Sequence, residues 1–200
     1  MTLPAFADYT PERYRNEIEE AMAHQRDGLA ALRDDPSPAT LGTVLEAWED
    51  ARAPLNLILS AFYTVRSSDT TDEIDAIAED FAPRLAAHSD AISLDRGLYE
   101  RLKQLDARIA AGEVDADEQD RWHVSDLLED FERAGVALSD DDQERLRALN
   151  QRLAELGSQF QRLNREARNA ATLHVTQEEL AGLSPAEIAS LADGDGFRVE

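Results

Sequence analysis

The sequence contains no cysteine among its 200 residues. This absence excludes a disulfide framework, and it removes the thiolate as a metal ligand or catalytic nucleophile. Lysine is nearly absent too, because Lys103 is the single lysine among 20 basic residues. Since Asp and Glu together number 42, the formal net charge is −22. A surface this acidic makes nucleic acid and anionic membranes poor partners, so we predict neither.

Long apolar runs are absent as well. No window approaches the roughly 18 consecutive apolar residues that a membrane-spanning helix requires. The opening residues, MTLPAFADYT, lack the basic region and the apolar core of a signal peptide. We therefore predict a cytoplasmic protein.

The motifs that carry chemistry are also missing from the sequence. Its four histidines are His24, His88, His123 and His174, and they are too far apart to pair as zinc ligands on one helix. No H-E-x-x-H motif, glycine-rich phosphate loop or G-x-S-x-G elbow occurs. We therefore assign no catalytic, cofactor-binding or metal-ligating residue to this sequence.

Two acidic stretches begin like a calcium-binding EF-hand loop, and neither completes it. In the loop that starts at Asp115, the sixth position is Asp120, where glycine is required, and the twelfth is Asp126 instead of glutamate. The stretch that starts at Asp193 is too short to finish such a loop. Acidic residues from Glu113 to Asp120 are instead typical of a solvated helix start.

Three bulky ring side chains lie in the apolar patterns of predicted helices. Trp48 and Trp122 are predicted to be core residues. His88 lies on an apolar helix face, which favours a hydrogen-bonded histidine between helices over a ligand. The ligand interpretation of His88 stays open at this point.

Residues 139–171 carry the longest regular pattern of the sequence. Apolar residues recur there in alternating steps of three and four, which is the heptad stripe of a long helix. They are Leu146, Leu149, Leu153, Leu156, Phe160, Leu163, Ala167 and Ala170. Ser139 is suited to cap this helix, and the aspartates that follow suit the positive end of its dipole. Because such a helix spans about 45–50 Å, shorter helices are expected to lie along it.

Five shorter helices are predicted before the long one, each with one apolar face. The first begins at Thr10-Pro11 and ends at Asp34–Pro38, and the second runs from about Leu41 to Val65. The third begins at a capping box, Thr70–Glu73, and the fourth ends at Gly112. The fifth begins at a capping box, Asp115–Glu118, and ends at Gly135. Pro54 and Pro83 fall inside the second and third helices, where they predict kinks. Because short turns join these helices, we predict an all-α array of about six long antiparallel helices.

Residues 172–200 follow a different pattern. The segments are an extended Leu173–Val175, two capped helical turns at Thr176–Glu179 and Ser184–Glu187, a loop at Asp193–Gly196, and an alternating Phe197–Glu200 that reads as the start of a strand. A lone strand is not stable, so we expect the sequence to be cut from a longer protein here. The predicted organisation is a helical domain 1–171 and a segment 172–200 that leads into a missing C-terminal catalytic region.

Three stretches, taken in order, resemble one family. Residues 81–94 read FAPRLAAHSDAISL, residues 131–149 read FERAGVALSDDDQERLRAL, and residues 180–191 read LAGLSPAEIASL. They are similar to the N-terminal part of the zinc oligopeptidases: thimet oligopeptidase, neurolysin and, above all, bacterial peptidyl-dipeptidase (dipeptidyl carboxypeptidase). Because segments around Tyr14–Met22 and Ser68–Glu73 also fit, the resemblance covers nearly the whole chain in colinear order.

The resemblance implies an almost wholly helical peptidase with a deep channel between two halves. Its zinc site would lie in the C-terminal half, on a helix with the H-E-x-x-H motif, and no residue of this sequence matches that site. This segment would build one wall of the channel and restrict entry to short, unfolded peptides. Its implied partners are the C-terminal catalytic region of the same protein and, in the intact enzyme, short peptides. The zinc belongs to the full-length enzyme, and this chain alone would be inactive.

An alternative interpretation is a free-standing acidic helical interaction module in which the heptad stripe forms a dimer seam. Against it, the five preceding helices each need to bury an apolar face, which predicts that the stripe is covered within the chain. The peptidase interpretation also predicts that the face of the long helix toward the missing half leaves apolar surface exposed. A third idea, an acidic adaptor that mimics nucleic acid, rests on net charge alone.

Overall fold

A computed structural model of the chain describes residues 9–171, 173–194 and 196–199. These residues form seven α-helices and three short strands. The helices are α1 Pro11–Asp34, α2 Ala47–Ser68, α3 Asp72–Ser93, α4 Arg96–Ala110, α5 Glu118–Ala134, α6 Asp140–Ala170 and α7 Pro185–Ser190. A π-helical segment, Leu41–Glu46, runs directly into α2. The predicted all-α array is therefore confirmed.

Polar caps fix where several helices begin. Thr10 accepts a hydrogen bond from the backbone N–H of Arg13 at 3.2 Å, as the predicted start of α1 requires. The cap of α3 is Thr71, one residue later than predicted. In α5 the cap is Asp117 and not Asp115, because Asp117 and Asp120 exchange side-chain-to-backbone hydrogen bonds.

Two glycines end helices as predicted. Gly112 follows α4 with φ 74°, and Gly135 follows α5 with φ 99°, a region that favours glycine. After Gly135, the N–H of Val136 donates to the carbonyl of Phe131 at 3.1 Å, and the Val136 side chain is buried. The turn between α5 and α6 is therefore held by both a backbone hydrogen bond and an apolar contact.

The chain divides into two compact units, one that ends at Glu155 and one that begins at Leu156. The division falls inside α6, whereas our predicted boundary lies at residue 171, and that domain assignment stays a prediction. The first unit contains two apolar clusters. One joins Tyr14, Phe62 and Phe81 from the first three helices, and the other includes Trp48 and Leu102. Each fully buried large side chain contributes about 1.5–3 kcal/mol to folding.

The two tryptophans predicted in the core differ in burial. Trp48 is 6% exposed, as predicted, but Trp122 is 65% exposed, so its assignment to the core is wrong. The buried residues of α5 are Val124, Leu127 and Phe131. At about 100° per residue, Trp122 lies about 140–200° around the helix from them, which places it on the solvent side.

Both predicted proline positions fall inside continuous helices. Pro54 lies within α2 and Pro83 within α3. The helices continue on both sides of each ring, so the prolines do not end them. The kinks expected at these two positions stay predictions.

The second unit contains a small antiparallel sheet. Its strands are β1 Leu173–Val175, β2 Ala192–Asp193 and β3 Gly196–Val199, in the order β1–β3–β2. In its register, Leu173 pairs with Val199 and Ala192 with Phe197. The final strand therefore has a partner on each side, so our argument from an unpaired strand is wrong. Asp195 of the predicted loop and Glu200 of the predicted strand lie outside the described residues.

Candidate interaction surface

The most prominent surface feature is an apolar row on α6, which we call the α6 stripe and define as Leu149, Leu153, Leu156, Phe160 and Leu163. These side chains are 67%, 69%, 45%, 69% and 55% exposed, respectively. The expectation that other helices of the chain cover them is therefore wrong. The expectation that a face of α6 leaves apolar surface exposed is confirmed.

A different face of α6 makes the contacts with the preceding helices. Gln143 is buried and its side-chain amide donates to the carbonyl of Val136 at 3.1 Å. Two turns further along the same face, Asn150 donates to the carboxylate of Asp90 on α3 at 2.8 Å. The polar row of Gln143 and Asn150 lies on one side of the stripe, about 70° around the helix from its middle. Sequence reasoning missed it because apolar periodicity alone does not report polar contacts between helices.

Burial of the stripe against another surface would contribute a large free energy for a single helix. Burying a Leu or Phe side chain fully is worth about 1.5–3 kcal/mol, so covering five half-exposed ones would contribute on the order of 5–10 kcal/mol. Contiguous exposed apolar surface bordered by polar residues marks interaction sites in soluble proteins. The stripe is therefore the candidate functional surface of this chain.

The two edges of the stripe differ in charge. In the heptad frame that places the stripe at positions a and d, the e edge is uncharged, with Asn150, Gly157 and Asn164. The g edge carries Arg145 and Arg152, followed by Gln159 and Glu166. These e and g positions set partner choice in helix pairing. At Gly157 on the e edge, a Cβ atom would meet no other atom within 4 Å, whereas Asn150 on the same edge donates to Asp90.

His88 lies between helices, as predicted. Its Nε2 is 2.9 Å from Oε1 of Gln25 on α1, which makes a hydrogen bond. Because an amide oxygen is an acceptor, Nε2 carries the proton in this assignment. Burial lowers the pKa of His88 below its ordinary value, and the charge of Arg26 lowers it further. Both effects favour the neutral ring.

His88 also lines a cleft of about 340 Å³, whose wall includes the buried rings of Trp48 and Phe131. A second cleft of about 510 Å³ lies between α1 and α2 and contains Glu17 and His24. Glu17 is engaged there, because it accepts hydrogen bonds from Tyr9 and Arg13. Ser89 and Ser93 line the first cleft together with His88, but among the described residues no hydrogen bond joins either serine to the ring.

The four histidines are dispersed over the described part of the chain. His123 contacts Glu49 at 3.3 Å, and His174 is exposed on β1. Among the described residues, no group of three or more His, Cys, Asp or Glu side chains is arranged to hold a metal ion. In the same residues, no helix combines the length and the apolar character needed to cross a membrane.

Comparison with known proteins identifies peptidases. The dipeptidyl carboxypeptidase of Salmonella typhimurium (strain LT2) is 30% identical to this chain over 192 residues, which is 95% of the chain and 28% of that protein. The dipeptidyl carboxypeptidase of Escherichia coli (strain K12) is 28% identical over 191 residues, with the same coverage. Oligopeptidase A of Salmonella typhimurium is 25% identical over 191 residues. No model of a known protein family matches the sequence.

These relatives confirm the resemblance that three sequence stretches indicate. The relatives are peptidases of two kinds, dipeptidyl carboxypeptidase and oligopeptidase A. More particularly, the chain is homologous to the N-terminal region of a thimet oligopeptidase-type protein. The chain spans 28% of the length of the relatives it matches.

Proposed function

We propose that this chain is the N-terminal substrate-channel wall region of a cytoplasmic zinc metallopeptidase that hydrolyses short peptides. The observation that carries the proposal is the similarity to dipeptidyl carboxypeptidases and oligopeptidase A across 95% of the chain. The exposed α6 stripe supports it, because a wall region needs an apolar face for the rest of the enzyme. The chain contributes shape and charge, and no catalytic residue.

A wall of packed helices selects substrates by exclusion. A rigid first unit with two apolar clusters can limit the width of a channel, so that folded proteins do not enter. The net charge of −22 adds a preference, because an acidic wall disfavours acidic peptides. Zinc, held by residues outside this chain, would supply Lewis-acid activation of the scissile carbonyl and of water.

The test compares the 200-residue chain with the protein that continues its reading frame. The longer protein is expected to hydrolyse short peptides, to lose this activity with a zinc chelator, and to regain it with added zinc. The 200-residue chain is expected to be inactive under all conditions. Mass spectrometry of the products distinguishes release of C-terminal dipeptides from internal cleavage. Hydrolysis that survives chelation, or a reading frame without an H-E-x-x-H helix, contradicts the proposal.

The exposure of the stripe also favours a second candidate, an acidic helical module that dimerises through α6. Light scattering of the 200-residue chain addresses it. A dimer that dissociates on dilution, and that Leu153→Asp abolishes without loss of helicity, favours this candidate. A monomer across the accessible concentration range argues against it.

A further inference from the structure

We propose that the cleft lined by Trp48 and His88, which we call the Trp48 cleft, binds a small apolar zwitterion: an amino acid with a large apolar side chain, or a dipeptide. The cleft has a volume of about 340 Å³, and its lining residues come from α1, α2, α3 and α5. All of them belong to the first unit. The inference goes beyond the proposed function and does not depend on it, because binding to the 200-residue chain requires no hydrolysis.

The two apolar clusters of the first unit share the Trp48 cleft. Trp48 and Phe131 line it from one cluster, while Leu55 of the other cluster and Leu85, which packs against that cluster, line it as well. Atoms that face such a gap lack packing partners, so an apolar group that fills it gains contacts. The volume lies at the lower end of the range for ligand cavities, about 300–1,000 Å³. It therefore suits a small molecule better than a second protein, which needs about 800 Å² of contact on each partner.

Three hydrogen-bond donors on α2 line the cleft. Trp48, Arg52 and Asn56 follow each other at intervals of four residues, so they lie on one face of the helix. The guanidinium carbon of Arg52 is 5.9 Å from the centre of the Trp48 ring. The indole N–H of Trp48 is buried and has no acceptor among the described residues, and the ion pair of Arg52 with Glu49 is long, at 3.4 Å. A carboxylate fits this row, because it accepts several hydrogen bonds and carries the opposite charge to Arg52.

An acidic residue on a second helix adds the other half of the ligand. Asp130 of α5 lines the cleft, and its ion pair with Arg133 is long, at 3.5 Å. In the described part of the chain, no ion pair joins Asp130 to Arg52. A ligand that carries both an ammonium group and a carboxylate complements both charges, whereas a simple carboxylate would leave Asp130 without a partner. A second copy of the chain would bring a net charge of −22 to a cleft that contains one carboxylate already.

The tryptophan content of the chain supplies the reporter for a direct test. Because the sequence has two tryptophans, Trp122→Phe leaves Trp48 as the single fluorescent indole. Phenylalanine and the dipeptide leucyl-phenylalanine are titrated separately into this variant of the 200-residue chain. A saturable change in Trp48 emission is expected, and calorimetry with the unchanged chain should give the same dissociation constant. The ligand that binds more tightly identifies the source, an amino acid or a dipeptide. Its C-terminal amide and its N-acetylated form each lack one charge, and each is expected to bind at least about tenfold more weakly.

Variants of the chain test the same two contacts from the protein side. Arg52→Gln and Asp130→Asn are each expected to weaken binding at least about tenfold. The matched control is Arg121→Gln, which removes the same charge from an exposed residue that does not line the cleft, and binding should stay within about twofold. Circular dichroism checks the fold, and Asn56→Ala, at an exposed position, is a further variant in case Arg52→Gln impairs folding.

Four results would overturn the inference. The first is the absence of a saturable signal with both ligands. The second is equal binding of the amide or of the acetylated form, which would show that the charges of the ligand are not recognised. The third is an equal loss of binding in Arg52→Gln and Arg121→Gln, because the effect would then come from net charge alone. The fourth is a change in Trp48 emission that grows with protein concentration without ligand, because a second copy would then occupy the cleft.

Discussion

The first unit of the chain, up to Glu155, buries most of the large apolar side chains of its first five helices, whereas the second unit, from Leu156 onward, leaves most of its own exposed or half-exposed. Among the described residues of the second unit, Leu180 is buried, while Phe160, Leu173 and Leu183 are exposed. The first unit therefore has a core of its own. The second is held mainly by backbone hydrogen bonds and polar caps, such as the capping box of Ser184 and Glu187.

This difference indicates how the two units contribute to function. A unit with its own core can act as a rigid wall, because close-packed interiors have low compressibility. A unit with exposed leucines gains stability when another surface covers them. The second unit and the stripe are therefore the parts of this chain whose environment matters most.

The largest expected effect compares two phenylalanines, one in each unit. Phe62 is 1% exposed and its ring lies 5.5 Å from that of Tyr14, so Phe62→Ala is expected to destabilise the chain by about 3–5 kcal/mol. Phe160 is 69% exposed, so Phe160→Ala is expected to change stability by less than about 0.5 kcal/mol. Urea unfolding followed by circular dichroism measures both. Equal losses in the two variants would mean that the stripe is already covered in the isolated chain.

An effect of intermediate size tests the polar attachment of α6. Asn150→Ala removes the donor to Asp90, a buried residue whose Oδ2 finds no hydrogen-bond partner among the described residues. Removing this hydrogen bond from the buried carboxylate is expected to cost about 1–3 kcal/mol in the free energy of unfolding.

The matched control is Asn164→Ala in the same helix, where the side chain is exposed. The free energy of unfolding of this variant is expected to lie within about 0.5 kcal/mol of that of the unchanged chain, with a slight gain in stability from the higher helix propensity of alanine. A loss at Asn164 as large as that at Asn150 would indicate that the polar row is not what attaches α6.

Local signals explain what the sequence predicted well. Helix limits such as Thr10-Pro11, Gly112 and Gly135 depend on residues within one turn of each other, and the structure places helix ends at all of them. The heptad pattern of α6 likewise predicts a long helix, because periodicity is a property of neighbouring residues. The exposure of Trp122 could also have been predicted from the sequence, since Trp122 lies at a different angle around α5 from Leu127 and Phe131.

Contacts between distant residues explain what the sequence did not predict. Asn150 donates a hydrogen bond to Asp90, which lies sixty positions earlier in the sequence, and no local sequence pattern predicts that pair. The pairing of β3 with both β1 and β2 depends on a return of the chain across α7. For the candidate surface, periodicity identified the stripe residues, but periodicity alone does not show whether such residues are exposed or covered.

The smallest expected effect concerns pH and the first unit alone. Burial, and then the charge of Arg26, lower the pKa of His88 in the folded chain. The unfolded chain takes up this proton near the ordinary histidine pKa of about 6.5, whereas the folded chain resists it until lower pH. Because the unfolded state then binds more protons, stability is expected to fall as pH decreases through about 6.5, and to be fully retained above it.

His88→Gln isolates this contribution, because glutamine can still hydrogen-bond to Gln25 but does not take up a proton in this range. Urea unfolding at about pH 8 and about pH 5.5 should therefore show a smaller loss of stability on acidification in this variant than in the unchanged chain. His174→Gln, which removes an exposed histidine of the second unit, should leave that loss as it is. If His88→Gln loses as much stability on acidification as the unchanged chain, His88 accepts its proton as readily in the folded state as in the unfolded one. The cleft around it would then be open enough to solvate a cation, which would weaken the view of the first unit as a rigid, independently packed wall.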